Sequence, residues 1–311
     1  MNPKVSVVIV NDYAAGESVS QEFTRKTFSA LANQTFKEPV EFIYAETKNI
    51  VNSIPEELLK ILPDLKIITA SRSHSYHLKN EGIKSAKGDI VAVIDLDCTP
   101  DKNWLYRLVN VLRQNPKISI VTGKTVYEGK NLLIRILSLL ERCYVDPGKR
   151  GETVFVENSN AGYRRSTLLE CKFPDEFEIF TSGVCYFRNL QEAGYKILYE
   201  PQMLVTHHFP GWEFEKDFRR NCGYAYYTSR KINPNIRFSG FSKPGYFSIP
   251  LFFVALTVLD WFRCIRLGLR WNLKIYEIPV AMFIAVLVRF LEIPGFIDGI
   301  KQRAISGTNY R

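Results

Sequence analysis

Short apolar runs and helical patterns alternate along the first third of the chain. The runs are rich in Val and Ile and too short for helices, whereas the intervening segments carry apolar positions at helical spacing. Strands are predicted at residues 5–10, 40–45, 66–70 and 90–94, and helices at residues 20–33, 55–62 and 77–86. Strands and helices in alternation favour right-handed βαβ units. The expected fold class is therefore α/β, with a doubly wound and mostly parallel sheet.

The pattern continues beyond this unit. Residues 118–122 predict a further strand, and residues 132–143 predict an amphipathic helix with a wide apolar face. Packing against the core is the default role of such a face. Arg135 and Arg142 on this helix leave open a second role, facing a membrane or an acceptor molecule.

Two carboxylates, Asp95 and Asp97, follow the strand predicted at residues 90–94. Ligands bind at the carboxyl ends of strands in open α/β sheets, and side chains two residues apart point to the same side of a strand. Carboxylates placed in this way can hold one divalent cation, and hard oxygen ligands suit Mg²⁺ or Mn²⁺. The motif predicts a site for a metal and a diphosphate. The alternative is that these acids only turn the chain or cap the next element.

The composition changes near residue 235. Two apolar runs, residues 247–259 and 278–288, are separated by a basic spacer, and neither run reaches the ~20 residues of a simple membrane span. We predict two domains, residues 1–235 and a membrane-associated helical region at residues 236–311. An interfacial hairpin on an anionic cytoplasmic leaflet fits the basic spacer, and longer helices would span the membrane. A soluble helical pair packed on the first domain or on a second copy is the alternative.

Composition and charge limit the class of partner. The chain has 311 residues, 46% of them hydrophobic, which excludes a disordered protein. A formal charge of +9 suggests an anionic partner, which could be a nucleic acid, an acidic lipid or a phosphorylated substrate. The six cysteines form no CxxC pair and are expected to be reduced cytosolic thiols. The first strand begins too early for a signal peptide, so the first domain is expected in the cytoplasm.

Seven segments together resemble a known family. They are VSVVIV, ALANQTF, VEFIYAE, KNEGIKSAKGDIVAVIDLD, NAGYRRSTL, LQEAGYKILYEP and VTHH, and they occur in order between residues 5 and 208. This combination resembles the family 2 glycosyltransferases, which have the GT-A fold. The resemblance implies transfer of a sugar from a nucleotide sugar, UDP- or GDP-linked, with inversion at the anomeric carbon. The polymer-forming signature Gln-x-x-Arg-Trp is absent from the sequence, which favours a single addition.

The resemblance also implies roles for particular residues. The nucleotide-sugar-binding positions are Asn11, Asp12, Glu46, Lys79, Asn80 and Asp95. The metal-binding positions are Asp95, Asp97 and His207. The segments around Asn11 and Glu46 depart from the usual family pattern, which leaves the base and ribose preference open. For Asp12 and Glu46, the alternative role is capping of turns.

The position of the family's catalytic base is occupied by Thr181 and Ser182. An unassisted hydroxyl at neutral pH does not remove a proton from an acceptor hydroxyl. We therefore predict Glu178, the nearest unassigned acid, as the catalytic base. The alternative is a noncatalytic, nucleotide-sugar-binding partner protein.

These patterns predict a metal-dependent glycosyltransferase at the cytoplasmic face of the membrane. Its expected partners are a nucleotide sugar, a glycan or lipid-linked acceptor, and the membrane surface. Nucleic acid is not expected, because the sequence contains no recognisable nucleic-acid-binding module.

Overall fold

The computed structural model describes residues 4–12, 20–62, 64–209 and 211–303. The strands are β1 Val5–Val10, β2 Val40–Thr47, β3 Lys66–Ala70, β4 Ile90–Asp95, β5 Cys98–Pro100, β6 Ile120–Tyr127, β7 Gly151–Thr153, β8 Asn160–Arg164 and β9 Ile197–His207. The α-helices are α1 Gln21–Ala32, α2 Lys48–Ser53, α3 Glu56–Leu59, α4 Ser75–Ser85, α5 Trp104–Gln114, α6 Leu132–Arg142, α7 Arg165–Glu170, α8 Ile179–Glu192, α9 Trp212–Ile232, α10 Ser248–Leu267 and α11 Ile278–Ile300.

The strands form one sheet in the order β3-β2-β1-β4-β8-β6-β9-β5, and β7 pairs with β9. Among the nine described strands, β1, β2, β3, β4, β6 and β9 run in the same direction. The other three, β5, β7 and β8, are antiparallel to their neighbours. The predicted α/β fold with a mostly parallel sheet is confirmed.

Burial explains why β1 and β4 lie at the centre of the sheet. Every residue of both strands is buried, which requires apolar side chains on both faces. Helix α4 packs closely on this centre, because a Cβ at Gly82 would lie 2.5 Å from Cγ1 of Val8. In the register of the parallel pair, Val10 is opposite Asp95. The loop after β1 and the acids after β4 therefore leave the sheet at the same edge.

Two predicted elements differ from the structure. The helix predicted at residues 55–62 is shorter, because α3 covers only Glu56–Leu59. The chain is extended at Ile54 and Pro55, which separates α3 from the preceding helix α2. Proline favours this extended conformation in the residue before it. The strand predicted at residues 118–122 begins at Ile120 and continues to Tyr127, because β6 pairs with β8 at its start and with β9 along its full length.

Helices α10 and α11 form a hairpin that packs on α9. The α9 and α11 backbones are in contact, because a Cβ at Gly223 would lie 2.1 Å from the Glu292 carbonyl oxygen, and one at Gly295 would lie 1.9 Å from that of Arg220. Among the described residues, two helical segments, 245–271 and 275–300, are long and apolar enough to cross a membrane. Both helical segments are longer than the apolar runs of the sequence, because charged residues that interrupt the apolar sequence are buried within the helices.

Candidate active site

A cavity of about 670 Å³ opens at the carboxyl edge of the sheet. Its polar lining includes Asp12 after β1, Lys79 on α4, Asp95 and Asp97 at the exit of β4, and His207 at the end of β9. The fold thus brings together five of the residues predicted to bind metal or nucleotide. Their roles stay predictions, but their convergence in one cavity is a property of the structure.

Lys79 and Asp95 form a buried ion pair at the base of the cavity. The Lys79 Nζ lies 2.9 Å from the Asp95 Oδ1, and the side chains are 1% and 5% exposed. Burial raises the pKa of the Asp95 carboxyl, and the charge of Lys79 counteracts this increase. Such a pair can keep a carboxylate ionised in a site with little water.

Asp97 and His207 lie side by side because β5 pairs with β9, which places Cys98 opposite His207. The His207 Nδ1 donates a hydrogen bond of 2.6 Å to the His208 carbonyl. In the neutral ring this leaves Nε2 unprotonated, 3.5 Å from the Asp97 Oδ2. Burial lowers the pKa of His207 to about 3 and raises the pKa of Asp97 to about 6.

These groups fit a hard divalent cation. The ligand atoms of Asp97, Cys98 and His207 lie within 4.8 Å of one another, and Asp95 lines the same cavity. Burial raises the pKa of the Cys98 thiol well above its usual range, so the thiol stays protonated. Carboxylate oxygens with one neutral imidazole suit Mg²⁺ or Mn²⁺, which prefer oxygen ligands. The residues that would hold the cation are Asp95, Asp97 and His207.

The remaining predicted nucleotide-binding residues occupy different environments. The Asp12 Oδ1 and the Asn11 Nδ2 are buried and have no hydrogen-bond partner among the described residues. Glu46 is fully buried, and its Oε1 accepts a hydrogen bond from the Thr47 backbone. The Asn80 side chain donates to the Phe173 carbonyl and accepts from the Phe173 amide. Asn80 therefore fixes a distant loop, and its geometry favours this structural role over direct nucleotide binding.

Glu178 is the N-cap of α8. One of its carboxylate oxygens accepts from the Phe180 amide and the other from the Thr181 amide. Burial raises the pKa of Glu178 to about 8, against the effect of these two hydrogen bonds. The described cavity lining includes Ile179 and Phe180 but not Glu178. The geometry therefore favours a capping role and does not support the predicted role as base.

The hydroxyls at the position of the family base, those of Thr181 and Ser182, make hydrogen bonds within the protein. The Thr181 Oγ1 lies 2.7 Å from the Thr228 Oγ1, and the Ser182 Oγ donates to the Phe177 carbonyl. Neither residue is among those that line the described cavity.

A buried polar network that sequence analysis missed lies along the cavity wall. The Arg142 guanidinium lies 3.3 Å from the Glu157 Oε1, and Arg219 contacts Glu141 at 2.7 Å. The Glu157 Oε2 has no hydrogen-bond partner among the described residues. Arg142 thus lines the cavity. Glu157 follows no periodic pattern, so nothing in the sequence distinguished it from an ordinary loop acid.

Arg135, the other basic residue of α6, does not reach the cavity. Its guanidinium makes two hydrogen bonds of 2.8 Å to the Glu277 carboxylate, just before α11. This pair ties the hairpin to α6, and the structure therefore gives Arg135 a packing role.

The mostly parallel sheet with its helices, and the two buried carboxylates at the exit of β4, match the GT-A fold. The model of the glycosyl transferase family 2 matches residues 7–171, more than half of the chain. The chain belongs to glycosyl transferase family 2, as its sequence motifs predicted.

Curated relatives match shorter parts of longer proteins. The probable glycosyltransferase YdaM of Bacillus subtilis (strain 168) is 32% identical over an alignment of 231 positions, which covers 69% of this chain and 51% of the relative. The poly-beta-1,6-N-acetyl-D-glucosamine synthase of Staphylococcus aureus (strain COL) is 26% identical over 39% of this chain and 31% of its own length. The chain thus spans about half of the first relative and less than a third of the second.

Two solved structures share the fold. The mannosyltransferase PcManGT from Pyrobaculum calidifontis, in complex with GDP-Man and Mn²⁺, has a TM-score of 0.61 and 13% identity, covering 98% of this chain and 89% of its own. S. aureus TarS has a TM-score of 0.51 and 14% identity, covering 96% of this chain and 55% of its own. At these identities the likeness is one of fold.

Proposed function

We propose that the protein is a metal-dependent, inverting glycosyltransferase that uses a UDP- or GDP-linked sugar. The observation that carries the proposal is the convergence of Lys79, Asp95, Asp97 and His207 at the sheet edge where open α/β folds bind ligands. Membership of family 2 supports the reaction class. The complex of PcManGT with GDP-Man and Mn²⁺ supports a nucleotide sugar and a divalent cation as ligands.

Each residue has a physical task in this reaction. Asp95 and Asp97 would hold the cation with the free Nε2 of His207, and Lys79 offsets the negative charge of Asp95. The bound cation neutralises the charge that develops on the departing nucleotide diphosphate. Asp12 lines the cavity and has a buried carboxylate oxygen available to accept a hydrogen bond from the nucleotide sugar.

The acceptor is a glycan or a lipid-linked molecule, and the protein works at the cytoplasmic face of a membrane. Support comes from the exposed apolar side chains of the hairpin, which recur every three or four residues and so share one face of each helix. They are Leu251, Val254, Val258, Phe262 and Ile265 on α10, and Val280, Phe283, Leu287 and Phe290 on α11. A contiguous exposed apolar face of this kind favours contact with lipid.

A donor-panel assay tests the function. The full chain is incubated with UDP- and GDP-sugars and Mn²⁺, and release of nucleotide diphosphate is measured. We expect turnover with at least one donor, and a large loss in Asp97→Asn. Asp89→Asn is the matched control, because Asp89 is exposed just before the opposite end of β4. Binding of a donor without turnover or transfer would instead support the noncatalytic partner protein.

A further inference from the structure

Five carboxylates line the cavity among the described residues, and four of them already have a task or a partner for each oxygen. The acids proposed to serve the cation and the donor are Asp12, Asp95 and Asp97. The fourth acid is Glu141, which accepts from the Arg219 guanidinium with one oxygen and from the Tyr127 hydroxyl with the other. The fifth acid, Glu157, has no task in the reaction as described so far.

One oxygen of the Glu157 carboxylate is held, and the other is not. The Oε1 accepts a hydrogen bond of 2.9 Å from the Ser159 hydroxyl and lies 3.3 Å from the Arg142 guanidinium. The Oε2 is buried and has no hydrogen-bond partner among the described residues. A buried acceptor without a donor costs free energy, which a bound hydroxyl group would recover. The carboxylate is therefore suited to accept a hydrogen bond from a molecule in the cavity.

The sheet brings Glu157 to the carboxyl end of β4. Strand β8 begins at Asn160, which is opposite Ile94 in the antiparallel pair of β8 with β4. The residues just before Asn160 therefore extend beyond the end of β4, towards the acids at its exit. The backbone of Glu157 is fixed there, because its amide donates to the Thr122 hydroxyl and its carbonyl accepts from the Asn160 amide.

Contacts of Glu157 lead directly to one of the predicted metal ligands. The guanidinium of Arg142, which contacts Glu157, lies 5.1 Å from the centre of the Tyr127 ring. The Tyr127 ring packs edge-on against the His207 ring, with 5.4 Å between their centroids. Glu157 is thus at the metal end of the cavity, where the bond to the leaving diphosphate must break.

The residue after Glu157 meets the family's base position from the other side. The Asn158 side chain donates a hydrogen bond of 2.6 Å to the Tyr76 hydroxyl. A Cβ at Gly183, the residue after Ser182, would lie 3.0 Å from that same hydroxyl. The segment that carries Glu157 therefore lies across one tyrosine hydroxyl from the start of α8, where family members carry their base.

We propose that Glu157 is the catalytic base, in place of the acid that is absent at Ser182. This inference rests on the proposed glycosyltransferase function. In the step, the Glu157 Oε2 takes the proton of the acceptor hydroxyl while the hydroxyl oxygen attacks the anomeric carbon and forms the new C–O bond. The bond from that carbon to the nucleotide diphosphate breaks, and the diphosphate leaves with the electron pair. The glutamic acid then releases its proton to water.

The experiment compares a nucleophile that must lose a proton with one that carries none. Water takes the place of the acceptor hydroxyl in the first reaction, and sodium azide supplies the nucleophile in the second. Both reactions use Mn²⁺ and the UDP- or GDP-sugar with the highest turnover, and release of nucleotide diphosphate and formation of glycosyl azide are measured. Azide is an anion at neutral pH, so its attack on the anomeric carbon needs no base.

Glu157→Gln should separate the two reactions. We expect hydrolysis of the donor to decrease by about 10²- to 10⁴-fold, the usual contribution of a general base, while formation of glycosyl azide and donor affinity are retained. Glu157→Asp should recover part of the hydrolysis, because it keeps a carboxylate. Glu152→Gln is the matched control and should match the native protein, because Glu152 is exposed on β7 and does not line the described cavity.

The outcomes distinguish this proposal from the proposed function. Equal losses with water and azide in Glu157→Gln, or a loss of donor affinity, would give Glu157 a structural or donor-binding role and overturn the assignment. Unchanged hydrolysis in Glu157→Gln would also overturn it, while turnover by the native protein leaves the transferase proposal standing. If the native protein turns over no donor with either nucleophile, both proposals fail.

Discussion

The Met substitution of Lys79 removes the ammonium group that contacts Asp95. Because both side chains are buried and 2.9 Å apart, the variant leaves a carboxylate without its counter-charge in a site with little water. Breaking a buried ion pair by removing one partner costs roughly 3–5 kcal/mol when the remaining charge stays ionised. Asp95 can escape this cost by taking up a proton, since burial raises the pKa of its carboxyl. The cost must therefore depend on pH.

The sign of this dependence follows from proton binding. In Lys79→Met the pKa of Asp95 is higher in the folded chain than in the unfolded chain, where it is about 3.9. The folded state then binds more protons, so the free energy of unfolding decreases as pH rises between the two pKa values. One pKa unit corresponds to about 1.4 kcal/mol. Burial raises the pKa of Asp95 to about 8 in the native protein, so this carboxyl is largely protonated in both proteins at pH 6. We expect the deficit relative to the native protein to be small at pH 6 and to approach about 3–5 kcal/mol at pH 10.

Urea unfolding followed by circular dichroism, at pH 6, 8 and 10, measures this deficit. Lys84→Met is the matched control, because Lys84 is on the same helix with a 57% exposed side chain, and its pair with Glu81 lies on the surface. The control should differ from the native protein by less than about 1 kcal/mol at each pH. A deficit in Lys79→Met that is equal at all three values, or no larger than that of the control, would refute the buried-pair reasoning.

Three other predictions concern the cation, the membrane and the hairpin. Burial raises the pKa of Asp97 to about 6, so protons compete with Mn²⁺ for this carboxylate below that pH. Titration calorimetry should therefore show weaker Mn²⁺ binding at pH 5 than at pH 7. Equal Mn²⁺ affinity at the two pH values would contradict this competition. The full chain should sediment with anionic vesicles, and Phe283→Ser should weaken its vesicle binding by about tenfold. Tyr106→Ser, which is remote from the hairpin, should leave vesicle binding unchanged. A full chain that does not bind vesicles would refute the membrane proposal. Gly295→Val should destabilise the fold by about 3 kcal/mol through overpacking, whereas Gly240→Val should not, because the space around Gly240 is open. Equal melting temperatures of these two variants would exclude the close contact of α9 and α11.

Local patterns were sufficient for the centre of the fold. The strands at residues 5–10 and 66–70 have the predicted bounds, because apolar β-branched runs carry their own signal. The placement of Asp95 and Asp97 at the strand exit also followed from chain direction alone. Family motifs then added His207, which is 110 residues away from Asp97 and which the pairing of β5 with β9 brings beside it.

Contacts between distant segments could not be predicted from such patterns. Asn80 bonds a backbone 93 residues away, so its structural role became visible only in the fold. Glu178 was predicted as a base because it was the nearest free acid in sequence, yet it begins α8, and glutamate is not among the usual N-cap residues. Arg289 and Glu292 form a buried ion pair on α11. Their burial depends on the packing of α9 against α11, and the high apolar content of α11 gave no sign of this packing in the sequence.

The packing of the hairpin on α9 determines which variants can test membrane binding. Glu292 on α11 lies 3.5 Å from Arg219, which is fully buried with Glu141 and Glu215. A chain ending near residue 235 would lose one partner of this network and expose the close-packed face of α9. Its loss of vesicle binding would not separate a missing membrane contact from a damaged fold. Substitutions on the exposed apolar face of the full chain avoid this ambiguity.

Calorimetric titration of a nucleotide sugar with and without Mn²⁺ is the most direct measurement of the proposed site. In the native protein we expect donor binding to depend on the cation, and in Asp97→Asn we expect this dependence to be lost together with most of the affinity. Asp89→Asn should bind the donor as the native protein does. Equal donor affinity with and without Mn²⁺, or unchanged metal-dependent binding in Asp97→Asn, would contradict a cation held at the exit of β4.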